Sequence, residues 1–283
     1  MRRFFLKKTV MTCFAAGLLL AVCSCGSPVR KSEFKYPDKD SMAAFEKVGA
    51  KLDVEFKKID EKLSSAAAVV EKTGLEGERP RAILASIVTG SRCVISGCII
   101  NDKGVVKIAE PAGFQSLEGK DFSAQSHVKT VLSEGKPVMS GVFKAEEGFE
   151  SVVFAYPVKT EDGKVAGCIT ALIRPNFFLA TFIIPEIETN PLNIWAMQTD
   201  GMILYDRDSQ EIGRNIFEDS YFQPYPALRG LARRICNETR GSGNYFYPSK
   251  GAKVMIEKNA RWVSVGLYGR VWRLIMNLED TSE

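Results

Sequence analysis

The sequence is poor in the residues and motifs on which most enzymes depend. It has one histidine, His127, among 283 residues, and one histidine cannot form a metal site by itself. It contains no G-x-S-x-G, no P-loop, no H-E-x-x-H and no paired C-x-x-C, so the signatures of common nucleophilic, phosphate-binding and zinc enzymes are missing. These absences favour a protein without catalytic activity, metal or cofactor.

The sequence also lacks the excess of one charge that would direct it to nucleic acid. The formal net charge is +4, and it is accounted for by Arg2, Arg3, Lys7 and Lys8 in a segment without acidic residues. The rest of the chain is close to neutral and has no basic stripe, which excludes nucleic acid as an expected partner. Hydrophobic residues make up 45% of the sequence, enough for packed cores.

The N-terminus predicts an export signal over residues 1–25. A basic start is followed by an apolar core that is too short for a stable membrane span. The sequence Val22-Cys23-Ser24-Cys25 then resembles a bacterial lipobox, with Cys25 as the expected lipid anchor. Acylation of Cys23 and plain secretion with cleavage near Ser24 are the alternatives.

A long amphipathic helix is predicted over residues 41–75, after a polar tether over residues 26–40 that we expect to be flexible. Its apolar residues recur at three- and four-residue steps and form one stripe: Phe45, Val48, Leu52, Phe56, Ile59, Leu63, Ala66 and Val70. The stripe either packs along two modules as a spine or is the seam of a coiled-coil homodimer. The spine is favoured because the helix stops at Gly74, where a globular region begins.

A first module of two helices and five strands is predicted over residues 79–185. The helices are Arg81–Ser91 and Ser126–Ser133, and the strands are Cys93–Ile100, Val105–Ile108, Val138–Phe143, Ser151–Pro157 and Val165–Ile173. The last three strands form a meander with glycine-containing hairpin turns. Cys98–Ile100 and Cys168–Leu172 are apolar on both faces and are expected at the centre of the sheet.

A second module of the same plan is predicted over residues 190–283, which supports an internal repeat. Its helix is Leu228–Cys236, and its strands are Leu192–Gln198, Met202–Tyr205, Gly241–Pro248, Ala252–Lys258, Ala260–Gly266 and Val271–Asn277. Residues 174–191, which contain three prolines, are expected to cross between the modules. Asp206 and Asp208 are better explained as turn formers than as calcium ligands, because the run lacks the glycine and terminal glutamate of an EF-hand loop.

The order of these elements resembles the Cache family, the extracytoplasmic ligand-sensing relatives of PAS domains. The resemblance rests on short motifs at matching spacing: GKDFS at 119–123, EGKPV at 134–138, YPV at 156–158, DGKVAG at 162–167 and the run from Gly201 to Asn215. It implies an α+β double Cache fold, in which a long helix precedes two PAS-like antiparallel five-stranded sheets. The first module would be membrane-distal and the second membrane-proximal.

The resemblance places a ligand in the cup of the first module. The residues expected there are Phe114, His127, Lys129, Ser140, Phe154 and Tyr156. Each also has an ordinary structural explanation, as a core, surface or strand-end residue. Amino-acid-binding relatives use an arginine, a Trp-Tyr pair and an aspartate, all of which are missing from residues 126–143. An α-amino acid gripped by an arginine fork is therefore not expected, whereas Lys129 could hold a small carboxylate.

Four cysteines remain beyond the predicted signal: Cys93, Cys98, Cys168 and Cys236. Export permits disulfides, and Cys98 and Cys168 could pair if their strands are adjacent. Buried free thiols are the alternative.

We expect from these features an extracytoplasmic lipoprotein that binds a small polar or carboxylate-type molecule, as a sensor or solute receptor, without catalysis. Family members carry a transmembrane helix and a kinase or chemoreceptor output. This sequence has no second apolar run of membrane-spanning length, so a separate transmembrane receptor or transporter is the expected partner. The alternative is an envelope interaction or structural lipoprotein with a vestigial pocket.

Overall fold

A computed structural model describes residues 29–30, 39–190, 192–248 and 255–278 of the chain. The helices in these ranges are α1 (Lys39–Thr73), α2 (Glu78–Thr89), α3 (Ser126–Glu134), α4 (Pro175–Ile187) and α5 (Pro226–Asn237). The strands are β1 (Val29–Arg30), β2 (Val94–Asn101), β3 (Val106–Glu110), β4 (Val138–Met139), β5 (Phe143–Lys144), β6 (Glu150–Lys159), β7 (Val165–Ile173), β8 (Asn193–Gln198), β9 (Ile203–Tyr205), β10 (Gly241–Pro248), β11 (Met255–Leu267) and β12 (Arg270–Leu278). The predicted export signal, Cys25 and most of the predicted tether lie outside the described residues.

The strands form two sheets, and each contains the expected set of five antiparallel strands. The first sheet has the order β3-β2-β7-β6-β4, and the two-residue β5 also pairs with β6. The second has the order β11-β12-β8-β9, with β10 on the other side of β11 and the two-residue β1 parallel to β11. The α+β fold of a long helix followed by two antiparallel sheets is therefore confirmed. The expected position of β2 and β7, as neighbours at the centre of the first sheet, is also confirmed.

Helix α1 lies along both sheets as a spine. Its apolar stripe is buried in a core cluster that also contains residues of both sheets and of α4. The ring of Phe56 lies 5.8 Å from that of Phe154 in the first sheet, 5.4 Å from that of Trp272 in the second and 5.0 Å from that of Phe178 in α4. The stripe is thus used within the chain, which removes it as the seam of a coiled coil.

Three predicted elements differ from the structure, and each difference has a local cause. Residues 174–191 were expected to be broken by prolines but contain α4, because Pro175 occupies its first turn, where no donor is needed. Strand β11 is continuous where two strands were expected. Asn259 does not break it, because its amide donates across the hairpin to Asn244 over 2.9 Å.

The third difference concerns the predicted strand Val138–Phe143, which is divided into β4 and β5. Met139 pairs with Phe154 but Phe143 pairs with Ser151, so one extra residue is inserted on the β4–β5 side, as in a β-bulge. Met139 packs on the spine side of the sheet, whereas Phe143 packs on the opposite side. The bulge therefore turns Phe143 toward α3.

The four cysteines of the described residues are free thiols. Cys98 and Cys168 lie on adjacent strands and are buried, but they form no disulfide. Burial raises the pKa of the Cys168 thiol to about 12, so this group is unreactive at neutral pH. Among the described residues, none of the helices combines the length and the apolar content needed to cross a bilayer.

Candidate ligand-binding site

The first-module cup lies between α3, the β5 hairpin and the free face of the first sheet. Its cavity volume is about 20 Å³, which is room for about one water molecule. The imidazole of His127 packs against the ring of Phe143 with 5.2 Å between centroids. The Ser96 hydroxyl donates to the Glu147 carboxylate over 2.6 Å. The chain's own side chains therefore fill and close the cup.

Of the predicted site residues, His127 alone lines this cup. It is buried, and burial lowers its pKa to about 4, so the imidazole is neutral at physiological pH. Lys129 is exposed on the same helix and does not line the cup. Phe114 packs against the edge of the core on this side of the sheet. The Ser140 hydroxyl forms its hydrogen bonds with backbone groups, since it donates to the Gly141 carbonyl and accepts from the Val153 amide.

Phe154 and Tyr156 do not line the cup either. Successive side chains of a strand point to opposite faces, and on β6 it is Val153 and Ala155 that pack on the cup side. Phe154 is fully buried against α1, and Tyr156 packs on the same spine side. Both candidates therefore face away from the cup, because the sequence does not say which set of alternate residues faces α3. For Phe154, the structure agrees with the core explanation that the sequence also offered.

The second module contains a much larger space, the second-module cavity. It has a volume of about 420 Å³, within the range of small-molecule sites. Its floor is the second sheet, with Trp195 on β8, Tyr245 and Tyr247 on β10, and Lys258 on β11. Its opposite wall is formed by the segment 206–225, which leaves β9 and runs to the start of α5.

Tyrosines dominate one side of this cavity. Tyr245 and Tyr247 are two apart on β10 and therefore point to the same face. The ring of Tyr247 lies 4.6 Å from that of Tyr225 and 6.3 Å from that of Tyr245. Tyr221, from a short 3₁₀ helix, completes this wall. Such rings supply rigid contact area and polar tips.

Carboxyl groups dominate the other side. Asp206 and Asp208 each accept a backbone N–H two residues further on, over 2.7 and 3.0 Å, which is the turn-forming role that the sequence predicted. Both also line the cavity. Within the described part of the chain, no group of three or more His, Cys, Asp or Glu side chains is placed to hold a metal ion.

Glu211 joins the two sides. Its Oε1 accepts a hydrogen bond of 2.7 Å from the Tyr247 hydroxyl, and the residue is 9% exposed. Burial, with a smaller contribution from Asp206 and Asp208, raises the pKa of Glu211 to about 7 against the lowering effect of the Tyr247 bond. Burial and the bond to Glu211 raise the pKa of Tyr247 as well. The cavity thus contains a carboxyl group that changes its charge near neutral pH.

Sequence reasoning missed this cavity, although a signal for it was present. Tyr245 and Tyr247 alternate on a predicted strand, and Asp206, Asp208 and Glu211 crowd a single loop of the same module. Aromatic side chains on one sheet face opposite an acid-rich loop are typical of a binding site. The depth of the space between them, however, depends on tertiary packing that no local pattern reports.

Comparisons with known proteins agree with this architecture. Residues 54–175 match the family described as HK/GC/Chemotaxis protein-like, sensor domain. No curated protein is similar enough to the chain to count as a relative.

Three solved structures illustrate the likeness. An extracellular ligand binding receptor from Desulfohalobium retbaense DSM5692 is 26% identical, with a TM-score of 0.74, over 87% of this chain and 41% of that one. The chain therefore spans less than half the length of that receptor.

Two chemoreceptor domains show the same fold at lower identity. The ligand-binding domain of PctB, an amino acid chemoreceptor of Pseudomonas aeruginosa PAO1 solved with L-Arg, is 14% identical, with a TM-score of 0.61, over 85% of this chain and 94% of that one. The periplasmic sensory domain of the Campylobacter jejuni chemoreceptor Tlp1 is 11% identical, with a TM-score of 0.58, over 82% and 91%. The chain has the Cache-type fold seen in these sensor domains, and its residues 54–175 match the HK/GC/chemotaxis sensor family model.

Proposed function

We propose that this protein is an extracytoplasmic receptor that binds a small polar molecule in the second-module cavity and leaves it chemically unchanged. The observation that carries the proposal is the difference in volume between the two sites, about 420 Å³ against about 20 Å³. The sequence placed the ligand in the first module. The closed cup there moves the proposed site to the second.

Location and attachment are part of the same proposal. Relatives of this fold are described as extracellular or periplasmic, and the N-terminal segment has the pattern of a lipoprotein signal. The mature protein would be held at a membrane by a lipid on Cys25. Cys25→Ser should move it from the membrane fraction to the soluble fraction, and mass spectrometry of the membrane-extracted protein with an unmodified Cys25 would contradict the anchor.

A separate transmembrane receptor or transporter would transmit the binding event. The support is the sensory class of the matching family. Co-purification after cross-linking, with and without a bound compound, would identify such a partner.

The experiment exploits two natural reporters, one in each module. Trp195 lines the second-module cavity, and all three tryptophans, Trp195, Trp262 and Trp272, lie in the second module. His127, the single histidine of the sequence, lines the first-module cup. The untagged protein is screened against metabolites by thermal shift, because a ligand that binds the folded state raises the midpoint.

A compound that raises the midpoint should quench tryptophan fluorescence and leave the NMR signal of the His127 imidazole unchanged. Trp195→Phe should abolish the quenching while the thermal shift remains. A compound that instead moves the His127 signal without a fluorescence change would return the ligand to the first module.

The second candidate is an interaction lipoprotein of the cell envelope with a vestigial pocket. The observation in its favour is the first-module cup, which the chain fills by itself through the contact of Ser96 with Glu147. Absence of any thermal shift across acids, amines, purines and sugars would favour this candidate.

A further inference from the structure

The walls of the second-module cavity indicate the chemical class of its ligand. We propose, resting on the receptor function above, that this cavity binds an organic cation, a small molecule with a primary or quaternary ammonium group, between its tyrosines and its carboxylates.

The first argument is the aromatic wall. Along one side of the cavity, the ring of Tyr247 lies 4.6 Å from that of Tyr225 and 6.3 Å from that of Tyr245. The faces of aromatic rings carry negative electrostatic potential and attract ammonium groups, most strongly where water is excluded. A cavity with one such side and a volume of about 420 Å³ can hold the cation together with an organic substituent.

The chain itself provides an example of this attraction. The ammonium of Lys258 lies 5.5 Å from the centroid of the Tyr247 ring, and Lys258 is only 7% exposed. One ammonium group therefore already lies over a tyrosine face in this cavity.

The second argument is the charge of the lining. Among the described residues, three carboxyl groups, those of Asp206, Asp208 and Glu211, line the cavity together with one buried ammonium, that of Lys258. Arg207 also borders it but is exposed to solvent. An anionic ligand would have to approach three carboxyl groups, whereas a cation would be attracted to those that are ionised.

Glu211 would couple binding of the ligand to release of a proton. Its pKa is about 7, and among the described residues the charged groups that face it are Asp206, Asp208 and Lys258, with Tyr247 as its hydrogen-bond donor. A cation beside Glu211 favours the ionised carboxylate and lowers this pKa, so its binding releases a proton near pH 7. Affinity should therefore rise between pH 6 and pH 8, by up to about tenfold per pH unit where Glu211 titrates. A neutral ligand without preference for the ionised form would show no such rise.

The test compares each cation with an uncharged molecule of the same shape. The probes are choline against 3,3-dimethylbutan-1-ol and propylammonium against propan-1-ol, with propionate as an anion. Binding to the full mature chain is measured by calorimetry and by Trp195 fluorescence. At least one cation should bind ~10-fold or more tightly than its neutral partner, as expected for a desolvated ammonium over aromatic rings.

Three variants locate the effect. Glu211→Gln keeps the shape of the side chain and should both weaken the cation and remove the rise with pH. Tyr225→Leu should weaken the cation several-fold, whereas the matched Tyr225→Phe keeps the ring face and should bind within about twofold of the wild type. Circular dichroism confirms that each variant is folded, and binding of the neutral partner serves as the internal reference.

The outcomes distinguish failure of the cation class from failure of the receptor function. If neutral or anionic compounds quench Trp195 as well as or better than the cations, the cation class is overturned and the receptor function stands. If no compound from the cation panel or from the metabolite screen affects Trp195, both are overturned. If cations bind but Glu211→Gln keeps the full pH dependence, Glu211 is not the coupled group and the proposed site geometry is wrong.

Discussion

The two modules share a plan but treat the space over their sheets in opposite ways. In the first, the bulge between β4 and β5 turns Phe143 onto His127, and Glu147 closes the opening through Ser96. In the second, the segment 206–225 stands away from the sheet and leaves about 420 Å³ between carboxyl groups and tyrosines. The sheet architecture therefore does not determine whether a module has a binding cavity. The loop that crosses over the sheet determines it.

The largest expected effect is a loss of stability that tests whether the two modules unfold together or separately. Phe56→Ala removes a fully buried ring that contacts both sheets and α4 and should lower the free energy of unfolding by ~3–5 kcal/mol. Tryptophan fluorescence, which reports only the second module, and far-UV circular dichroism should follow one urea transition in both proteins. Two separated transitions in the wild type would show that the spine does not couple the sheets.

The second effect is acid sensitivity of the first module. Burial lowers the pKa of His127 from 6.5 to about 4, so the folded protein binds fewer protons than the unfolded chain between these values. The free energy of unfolding should fall by ~2–3 kcal/mol as the pH decreases through this window. Urea unfolding across the pH range checks it, with His127→Gln as the control that should lack this component. Parallel curves for the two proteins would contradict a buried neutral imidazole.

The second module should respond to pH with the opposite sign. The pKa of Glu211 is raised from 4.5 to about 7, so its contribution to stability is present below pH 4.5 and is lost as the pH rises through 7. Allowing for partial solvation of the carboxyl group, we expect Glu211→Gln to be more stable than the wild type by ~1–2 kcal/mol above pH 8. The difference should shrink toward pH 5 in the same urea series. A difference that does not depend on pH would mean that Glu211 does not titrate in this range.

The smallest effect concerns a residue that the sequence favoured and the structure does not use. Lys129 is exposed on α3 outside the cup, so Lys129→Ala should change the free energy of unfolding by less than ~0.5 kcal/mol. It should also leave the affinity of any ligand unchanged. Loss of binding in this variant would restore the first-module site.

The fold was predictable because its signals are local and repeated. The stripe from Phe45 to Val70 identifies a long one-sided helix, and strands such as Val165–Ile173 agree with the structure to the residue. The errors arise where one residue changes the geometry. Pro175 starts a helix instead of breaking one, and the extra residue between Met139 and Phe143 reverses which face the chain presents.

The site was less predictable for a different reason. Whether Phe154 or Val153 faces the cup depends on where α1 packs, and this contact is distant in sequence. The volume over a sheet is likewise a property of how far a loop such as 206–225 stands from it. The residue types of a binding site can be recognised in the sequence of the second module. The cavity between them cannot be predicted from the sequence.

The most direct test is a crystal structure of the mature protein grown with a compound that raises its unfolding midpoint. We predict ligand density in the second-module cavity, bounded by Tyr225, Tyr247 and Glu211, with Phe143 still packed on His127 in the first module. Density between α3 and the first sheet, with Phe143 displaced and the second-module cavity empty, would contradict the account.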